Sequence, residues 1–581
     1  MLIHRLLLSG LLCVGLRALG DSPPPALKQS DVVFMYQSDR ATYAEYGATV
    51  LAWGGKPTTQ SLAAAQGVRF FGSVGMVTEF ARFHDRFPRT YEAALCRDVN
   101  GNPVKVPWLT DHQHNGVPFW WCCTQQPLFR AYLQERVVET VQAGAEGVHI
   151  DDHLGTSGGL WLGICFCDRC VQGFRAYLGT LPADDRARFG VTNHQQFDYR
   201  EVVRDWIAAA PSLRRTPPQH PLWSQWSIYQ CRAAAAFMAD LHTLASKTAG
   251  RPVPMGANAG LLWPRHLSDH ATLDLFSAET DHHADQRRFS DQPLFAYRLA
   301  EAVDRPYAST ASGGDWAFIK EQNLPGLVRG WIAQSYAAGQ RLMAPHHQWC
   351  YTPQKGTHWY DGPTARFAPL YRFVREHAPL FDDYATFADL AVVMPHASFV
   401  ENPRRWFELG QALADQNLSY TILLGGDAIV DHSLAPTALR STRALLAPKP
   451  DDLLPADRRA LAEHARLAPV YQKLEEALAA IKPVVRISSG GPVRAFPRVK
   501  AGAAVVHLVN YDYDPAQDDV RPLRNLRVTL DLAVLGLARL ASCRLIMPGT
   551  PPVPLTVEAG SVEVPVLGLW GILAFESAPA P

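Results

Sequence analysis

The chain has 581 residues, of which 47% are hydrophobic and 19% charged, and it is too long for a single hydrophobic core. Lys plus Arg and Asp plus Glu both number 55, so the chain lacks the basic excess that nucleic-acid-binding proteins usually carry. These values predict two or three globular domains and exclude nucleic acid as an expected partner.

The first twenty residues have the pattern of a secretory signal peptide. Arg5 precedes a short apolar run, Ala18–Gly20 provides small residues for cleavage, and the proline-rich stretch Ser22–Pro25 follows. The apolar run is too short to cross a bilayer comfortably, and no later stretch looks transmembrane. We therefore expect residues 1–20 to be a signal peptide and the mature protein to be secreted or periplasmic, with no membrane partner.

Residues 31–383 alternate short apolar runs with longer helical patterns, which is typical of a (β/α)8 TIM barrel in the α/β class. Residues 160–250 are predicted to be an insertion after the fourth strand. The eight predicted strands are Val32–Tyr36, Thr49–Trp53, Val68–Val74, Gly147–Asp151, Val253–Ala257, Leu273–Glu279, Pro306–Thr310 and Leu342–Pro345.

Two further domains are predicted after the barrel. Residues 384–485 alternate strands and helices like a small doubly wound α/β domain of the glutamine-amidotransferase-like kind. Residues 490–578 contain short strands separated by Pro, Gly and Asp turns, as in a β-sandwich. The α/β domain has no Gly-rich nucleotide fingerprint, so we expect it to pack against the barrel or to mediate homo-oligomers.

Two of the predicted barrel strands end in carboxylates. In Gly147–Asp151, side-chain alternation puts His149 and Asp151 on the inward face, with Asp151 at the carboxyl end, where TIM-barrel active sites lie. The strand Leu273–Glu279 repeats this pattern. Because strands four and six open into the same mouth, the sequence predicts that the two carboxyl groups flank one pocket.

Such a pair predicts cleavage of a glycosidic bond, with one group as nucleophile or base and the other as proton donor. A separation of about 5–5.5 Å gives retention of configuration, and a wider one gives inversion. Two alternatives remain open: Asp152 or Asp281 takes one of the roles, or the barrel is a carbohydrate-binding protein without catalysis. The expected partner is an oligo- or polysaccharide, and catalysis by this pair needs no cofactor.

Further residues at strand ends are predicted to bind the substrate. The histidines offer hydrogen bonds to sugar hydroxyls or loop carbonyls, and the tryptophans offer flat apolar faces on which sugar rings stack. The predicted set is Asp152, His149, Trp53, Asn258, His282, Asp315, Trp316 and His346, with His283, His347 and Trp349 as further candidates.

The carboxylate motifs resemble a known family. Gly147–Asp151, followed by Gly155, resembles the nucleophile strand of glycoside hydrolase family 66, the dextranase and cycloisomaltooligosaccharide group. Leu275–Glu279 is similar to the strand that carries the acid/base glutamate in that group. The resemblance covers only these short motifs. It implies a retaining enzyme acting on α-linked glucans, with Asp151 as nucleophile and Glu279 as general acid/base.

The domain order resembles a different family. Barrel, α/β domain and β-sandwich follow one another as in glycoside hydrolase family 42, the β-galactosidases with a trimerisation domain. Cys165–Cys170 reads C-x-C-x-x-C, similar to that family's metal-binding loop. At the end of strand four, however, Asp151-Asp152 stands where the family has an Asn-Glu pair. The resemblance therefore implies the architecture, and a β-galactosidase type of activity is kept only as an alternative.

The cysteines allow two interpretations. Of ten, nine remain once Cys13 leaves with the signal peptide, and an odd number excludes complete disulfide pairing. Disulfide bonds nevertheless suit an oxidising compartment. The other interpretation is a closed tetrahedral zinc site of structural type, with four thiolates drawn from Cys122, Cys123, Cys165, Cys167 and Cys170.

Overall fold

The computed structural model describes residues 26–488, 490–537 and 540–577. The predicted signal peptide, residues 1–20, lies outside them. Among the described residues, none of the helices combines the length and apolar character that a membrane-spanning segment needs.

Eight parallel strands form the barrel, and each pairs with the next along the chain. A bridge between Phe34 and Ala344 links the last strand region to the first, so the predicted TIM barrel is confirmed. The strands are β1 (Val33–Phe34), β2 (Val50–Leu51), β3 (Arg69–Gly75), β4 (Gly147–Asp151), β5 (Met255–Ala257), β6 (Leu275–Thr280), β7 (Tyr307–Ala311) and β8 (Arg341–Leu342).

Helices separate the strands and cover the outside of the barrel. Strand β4 shows why the chain folds this way: Val148 and Ile150 are fully buried in the main apolar core, while His149 between them points to the barrel interior. The barrel helices are Arg40–Tyr46, Thr59–Ala64, Phe80–Arg86, Pro127–Gln142, Gln292–Ala302, Gly313–Gln322, Pro325–Ala337 and Thr364–Glu376.

The predicted insertion between β4 and β5 is helical and has an apolar core of its own, in which Phe166 stacks on Trp226 at a ring distance of 5.3 Å. Its helices are Asp168–Thr180, Ala183–Arg188, Tyr199–Ala208 and Trp223–Ala249.

Two loops rise at the carboxyl ends of the strands and meet beside the mouth. After β8, His347–Thr352 and Gly356–Asp361 form an antiparallel hairpin. After β3, a long loop carries the short hairpin Gln113–His114 and Val117–Pro118. The carboxylate of Asp111 in this loop accepts the backbone N–H of Thr357, which joins the two walls.

After the barrel, a four-stranded parallel sheet has the order Tyr420–Gly425, Leu390–Pro395, Leu445–Leu446, Val470–Tyr471. Because the first strand in the chain is central, helices can pack on both faces, as in doubly wound folds. The helices are His396–Glu401, Pro403–Asp415, Pro436–Arg440, Pro455–His464 and Leu474–Ala480.

Two antiparallel sheets complete the chain and share one apolar core, as in a β-sandwich. The six-stranded sheet has the order Ala385–Thr386, Val493–Lys500, Ala503–Asn510, Trp570–Ser577, Leu540–Ile546, Val553–Pro554. The four-stranded sheet has the order Val485–Ser488, Leu523–Leu530, Ser561–Leu567, Val557–Glu558.

A buried charge network joins the barrel to these later regions. Asp291, which is 5% exposed, accepts hydrogen bonds from Arg494 at 2.7 and 3.0 Å and from the Tyr511 hydroxyl at 2.8 Å. Arg494 also contacts Asp415 at 2.6 Å. Each buried charge here has a partner of opposite sign, which is the arrangement that a buried ion pair requires.

Candidate active site

The structure brings Asp151 and Glu279 to the same end of the barrel through Asn258. Asp151 ends β4, Glu279 is the penultimate residue of β6, and Asn258 directly follows β5, which lies between them. The Asn258 amide donates to Asp151 Oδ1 at 3.2 Å, and its oxygen accepts the backbone N–H of Glu279 at 3.3 Å. The predicted carboxylate pair therefore shares one polar partner.

The surroundings of the two carboxyl groups give them different proton affinities. Burial raises the pKa of Glu279 to about 8, and the charge of Asp151 adds to the rise. Burial also raises the pKa of Asp151, but hydrogen bonds from Asn258 and from the N–H of Asp152 oppose the rise. Because donated hydrogen bonds favour the ionised form, Asp151 suits the role of anion and Glu279 that of proton donor.

A third carboxyl group belongs to the same pocket. Asp152 has a left-handed backbone with φ of 53°. Burial, followed by the charges of Asp151 and Glu279, raises its pKa well above the usual range. Asp281 contributes as well, since its charge helps to raise the pKa of Glu279. The geometry thus keeps open the alternative in which Asp152 or Asp281 takes one of the catalytic roles.

Aromatic rings form a wall beside the carboxyl groups. Burial and the charges of Glu279 and Asp151 raise the pKa of Tyr36 well above its usual range. The Tyr36 ring lies 6.1 Å from Trp53 and 5.4 Å from Trp359, measured between ring centroids. Trp359 is 41% exposed. This wall offers a sugar ring both an apolar face and a hydroxyl group.

Sequence reasoning missed Tyr36 and Trp359 as site residues. Tyr36 is the last residue of the first predicted strand, so the strand-end rule that selected the other candidates would have found it. Trp359 had no such signal, because it lies in the hairpin after β8, where it stacks on the candidate His347 at 4.5 Å.

Two predicted substrate contacts are wrong because their side chains are fully buried. His149 is 0% exposed and bonds to Ser277 Oγ at 2.8 Å, and its ring lies 4.5 Å from that of Trp53. His282 is also 0% exposed and packs against Trp331 at 4.4 Å. Strand alternation identified the inward face correctly for His149 but did not indicate its depth in the barrel.

Two more predicted contacts have structural roles. Asp315 accepts the backbone N–H groups of His282 at 2.8 Å and Ala284 at 2.7 Å, so its carboxylate fixes the loop after β6. Trp316 is 1% exposed, donates to Thr310 Oγ1 at 3.0 Å and stacks on Tyr360, so neither ring face is open to a sugar. The prediction for Trp316 is therefore wrong, whereas substrate binding by Asp315 stays a prediction.

The remaining predicted contacts lie near the mouth. Trp53 is 8% exposed and contacts Tyr36, and Asn258 links the Asp151 carboxylate to the backbone N–H of Glu279. His346 is half-buried against Phe34 and Tyr46 at the end of the β8 region.

Four buried thiols form the centre of the cysteine cluster. The ligand atoms of Cys123, Cys165, Cys167 and Cys170 all lie within 4.8 Å of one another. The Sγ of Cys123 is 3.7 Å from that of Cys167 and 3.6 Å from that of Cys170. Zinc–sulfur bonds of about 2.3 Å give a tetrahedron with sulfur atoms about 3.8 Å apart. The four thiols therefore fit a tetrahedral metal ion.

Neighbouring donors strengthen this fit. The backbone N–H of Arg97 points at Cys165 Sγ over 3.3 Å, and that of Gln125 points at Cys123 Sγ over 3.4 Å. Such donors stabilise thiolates that ligate a metal. Burial, followed by the neighbouring thiols of Cys123 and Cys165, raises the pKa of Cys96, which sequence reasoning did not select.

Cys122 does not belong to the cluster, which corrects its place among the candidate ligands. Its chain segment is extended and pairs with Leu95, so that Cys122 and Cys123 point to opposite sides. Cys122 packs in the barrel core, and Cys123 reaches the other thiols.

The comparisons with known proteins concern the fold and the class of enzyme. No family model matches the chain. The chain is 22% identical over 594 residues to an alpha-agarase from Thalassotalea agarivorans, which covers 94% of this chain and 40% of that protein. It is 23% identical over 451 residues to an alpha-agarase from Alteromonas agarilytica, which covers 69% of this chain and 30% of that protein. The chain thus spans less than half the length of these curated relatives.

A family 42 β-galactosidase from G. stearothermophilus has the same fold. The two structures match with a TM-score of 0.63 at 10% identity, over 94% of this chain and 98% of the other. This similarity confirms the fold predicted from the resemblance to family 42, whereas the motif resemblance to family 66 stays a prediction. The comparisons as a whole support the prediction that the chain is a glycosidase.

Proposed function

We propose that the chain is a retaining glycoside hydrolase that cleaves α-linked bonds in an agar-type polysaccharide. The observation that carries the proposal is the arrangement of Asp151, Asn258 and Glu279 at the carboxyl ends of three successive strands. The relatives' printed name, alpha-agarase, supports the substrate class. Retention rests on the resemblance of the two carboxylate motifs to family 66.

In the proposed reaction, Asp151 attacks the anomeric carbon while Glu279 donates its proton to the leaving oxygen. Water then releases the sugar from Asp151, and Glu279 takes the proton from that water. The pKa of Glu279, near 8, keeps this group protonated at neutral pH for the first step. The Asn258 amide holds Asp151 Oδ1, which orients the carboxylate for attack.

Exposed tryptophans support a substrate longer than one sugar. Trp161, Trp263 and Trp359 are 59%, 66% and 41% exposed, although tryptophan is an apolar residue. They follow β4, β5 and β8, and β4 and β8 lie on opposite sides of an eight-stranded ring. A chain of sugars that crosses the mouth would meet a stacking face on each side.

The decisive experiment is hydrolysis of agar oligosaccharides and of aryl α- and β-glycosides by the wild type, Asp151→Ala and Glu279→Ala, with added azide. We expect azide to restore turnover in both variants, with an inverted glycosyl azide from Asp151→Ala and a retained one from Glu279→Ala. Loss of activity without any azide product in folded variants would overturn the assigned roles. Unchanged turnover in either variant would exclude that residue.

Asp152 is the second candidate for the proton donor, because its pKa is also raised and it lies near both other carboxyl groups. Asp152→Asn is therefore measured in the same series. If Asp152 is the donor, Asp152→Asn spares aryl glycosides with good leaving groups and Glu279→Ala does not. Saccharide binding without product from the wild type would favour the carbohydrate-binding alternative.

We also propose that Cys123, Cys165, Cys167 and Cys170 hold a structural zinc ion, on the strength of their sulfur geometry and burial. Such an ion would fasten the loop after β3 to the loop after β4. Cys167→Ser is expected to lose one zinc ion per chain and to melt at lower temperature. Cys350→Ser, which removes a buried cysteine outside the cluster, is the control. If the protein contains no zinc and non-reducing mass spectrometry finds disulfide bonds among these cysteines, the disulfide alternative is favoured.

Export and homo-oligomerisation stay predictions. The apolar run before Gly20 supports export, and N-terminal sequencing of protein secreted from expressing cells tests it. Analytical ultracentrifugation of the purified chain measures its molecular mass in solution and so tests whether it forms a homo-oligomer.

A further inference from the structure

A second group of side chains that could ligate a metal lies in the segment between β3 and β4. His84 and Asp85 are in the helix Phe80–Arg86, and His114 is in the short hairpin of that loop. The ligand atoms of the three residues all lie within 4.8 Å of one another. His114 Nε2 is 2.5 Å from Asp85 Oδ1, and His84 Nδ1 is 4.0 Å from the same oxygen.

The state of His84 points to a ligand. The residue is 8% exposed, and its Nδ1 is buried without a hydrogen-bond partner among the described residues. A buried polar atom without a partner costs about 1–3 kcal/mol. The Tyr91 ring lies 4.7 Å from the His84 ring. The unpartnered Nδ1 is 4.0 Å from Asp85 Oδ1, so an ion held by Asp85 and His114 lies within its reach.

We propose that His84, Asp85 and His114 bind a divalent transition-metal ion of the zinc class. Two imidazole nitrogens and one carboxylate oxygen are donors that such ions prefer, whereas calcium and magnesium prefer oxygen alone. The site is open to solvent through Asp85, whose side chain is 55% exposed, so an ion can enter and keep a water molecule as its fourth ligand.

The ion would stabilise one wall of the barrel mouth. It would link the helix after β3 to the hairpin that contains His114. Asp111, three residues before His114, receives the N–H of Thr357 from the hairpin that carries Trp359. The proposed role is therefore structural, and it does not depend on the proposed glycosidase activity.

The test is cobalt binding to the full chain after removal of metals with a chelator. Total cobalt is measured by atomic emission, and cobalt at the cysteine cluster is recognised by its sulfur-to-metal charge-transfer absorption, which imidazole and carboxylate ligands do not give. We expect two cobalt ions per wild-type chain. His114→Ala is expected to bind one, with the charge-transfer band unchanged.

A matched control lies in the same loop. His112 pairs with Asp111 at 2.9 Å, as His114 pairs with Asp85, but within the described part of the chain no third metal ligand lies beside this pair. His112→Ala is expected to bind as much cobalt as the wild type. Asp85→Asn, a change at an exposed position, repeats the test if His114→Ala is unstable. Equal cobalt content in wild type, His114→Ala and Asp85→Asn would overturn the proposal. A Cys167→Ser variant that binds no cobalt would overturn it as well.

Discussion

Two groups of buried carboxylates in this chain differ in how their charges are compensated. Asp291, between the barrel and the later regions, accepts hydrogen bonds from Arg494, Tyr511 and Gln411. Asp151 and Glu279, at the barrel mouth, face each other's charge, and their polar partners are Asn258 and backbone N–H groups. The first group is arranged for stability, and the second holds carboxyl groups where their charged forms are disfavoured.

This difference distinguishes carboxylates that stabilise the fold from carboxylates that are available for a reaction. Removing one partner of a compensated buried pair leaves the other charge alone, which is costly. Removing a carboxylate whose charged form is disfavoured by burial removes a destabilising term from the fold, but it also removes a group that the reaction at the site would need. Each of the following experiments measures one side of this contrast.

The largest effect is expected at the mouth. Asp151→Asn should lower the turnover of glycosides by about 10²–10⁴-fold, a range typical of lost catalytic groups. The melting temperature should stay equal or rise, because the change neutralises a charge that burial disfavours. Steady-state kinetics and calorimetry on the same preparation check both parts. A large fall in melting temperature would place Asp151 with the structural carboxylates.

At the compensated site, Arg494→Met should lower the free energy of unfolding by about 3–5 kcal/mol, because Asp291 is left buried without its cation. The matched control is Arg404→Met, which breaks the exposed pair with Glu408 and should cost less than about 1 kcal/mol. Urea denaturation of the two variants measures the difference. Similar losses in both would show that Asp291 is not held by Arg494.

The pH profile sharpens the contrast within the mouth. With a Glu279 pKa of about 8, kcat/KM should fall above pH 8, as the proton donor ionises. Ionisation of Glu279 should also affect stability, because its pKa is 4.5 in the unfolded chain and about 8 in the folded one. The contribution of the protonated group to the free energy of unfolding is complete below pH 4.5 and is lost as pH rises through 8. Glu279→Gln should therefore be more stable than the wild type in alkaline solution. Melting curves from pH 5 to pH 9 test the sign, and a stability difference that shrinks with rising pH would contradict it.

The smallest effect concerns the exposed aromatic faces. Trp263→Ala should raise KM for a polysaccharide by about 2–10-fold, since an aromatic contact is worth about 0.5–1.5 kcal/mol. It should leave kcat for a short aryl glycoside unchanged. Leu467→Ala, another exposed apolar position, 75% exposed and distant in the α/β domain, is the control. Equal KM values in both variants would exclude Trp263 from the polysaccharide path.

Much of the barrel could be predicted because its strands are local patterns. Gly147–Asp151 alternates buried and inward residues, and the structure has the strand with those bounds. Other strand bounds differ from the prediction: the strand predicted at Leu342–Pro345 is observed at Arg341–Leu342. Strand ends depend on pairing with neighbours, which the local pattern does not contain.

The site was predicted in part for the same reason. Strand ends located Asp151, Asn258 and Glu279 at one mouth, because the topology of a barrel brings all carboxyl ends together. The same rule also selected His282 and Trp316, which are buried. Local sequence indicates the end of a strand but not what the following loop places above it.

The sequence alone therefore determined the fold class, the positions of two carboxylates at strand ends and the spacing of the cysteine loop, because periodicity and spacing are properties of neighbouring residues. Only the tertiary structure decided that Cys123 rather than Cys122 meets the other thiols and that Asp152 shares the pocket. It also placed Tyr36 beside the carboxyl groups and His84 beside His114. These contacts join residues far apart in the chain, and their burial and charge exist only once the loops have packed.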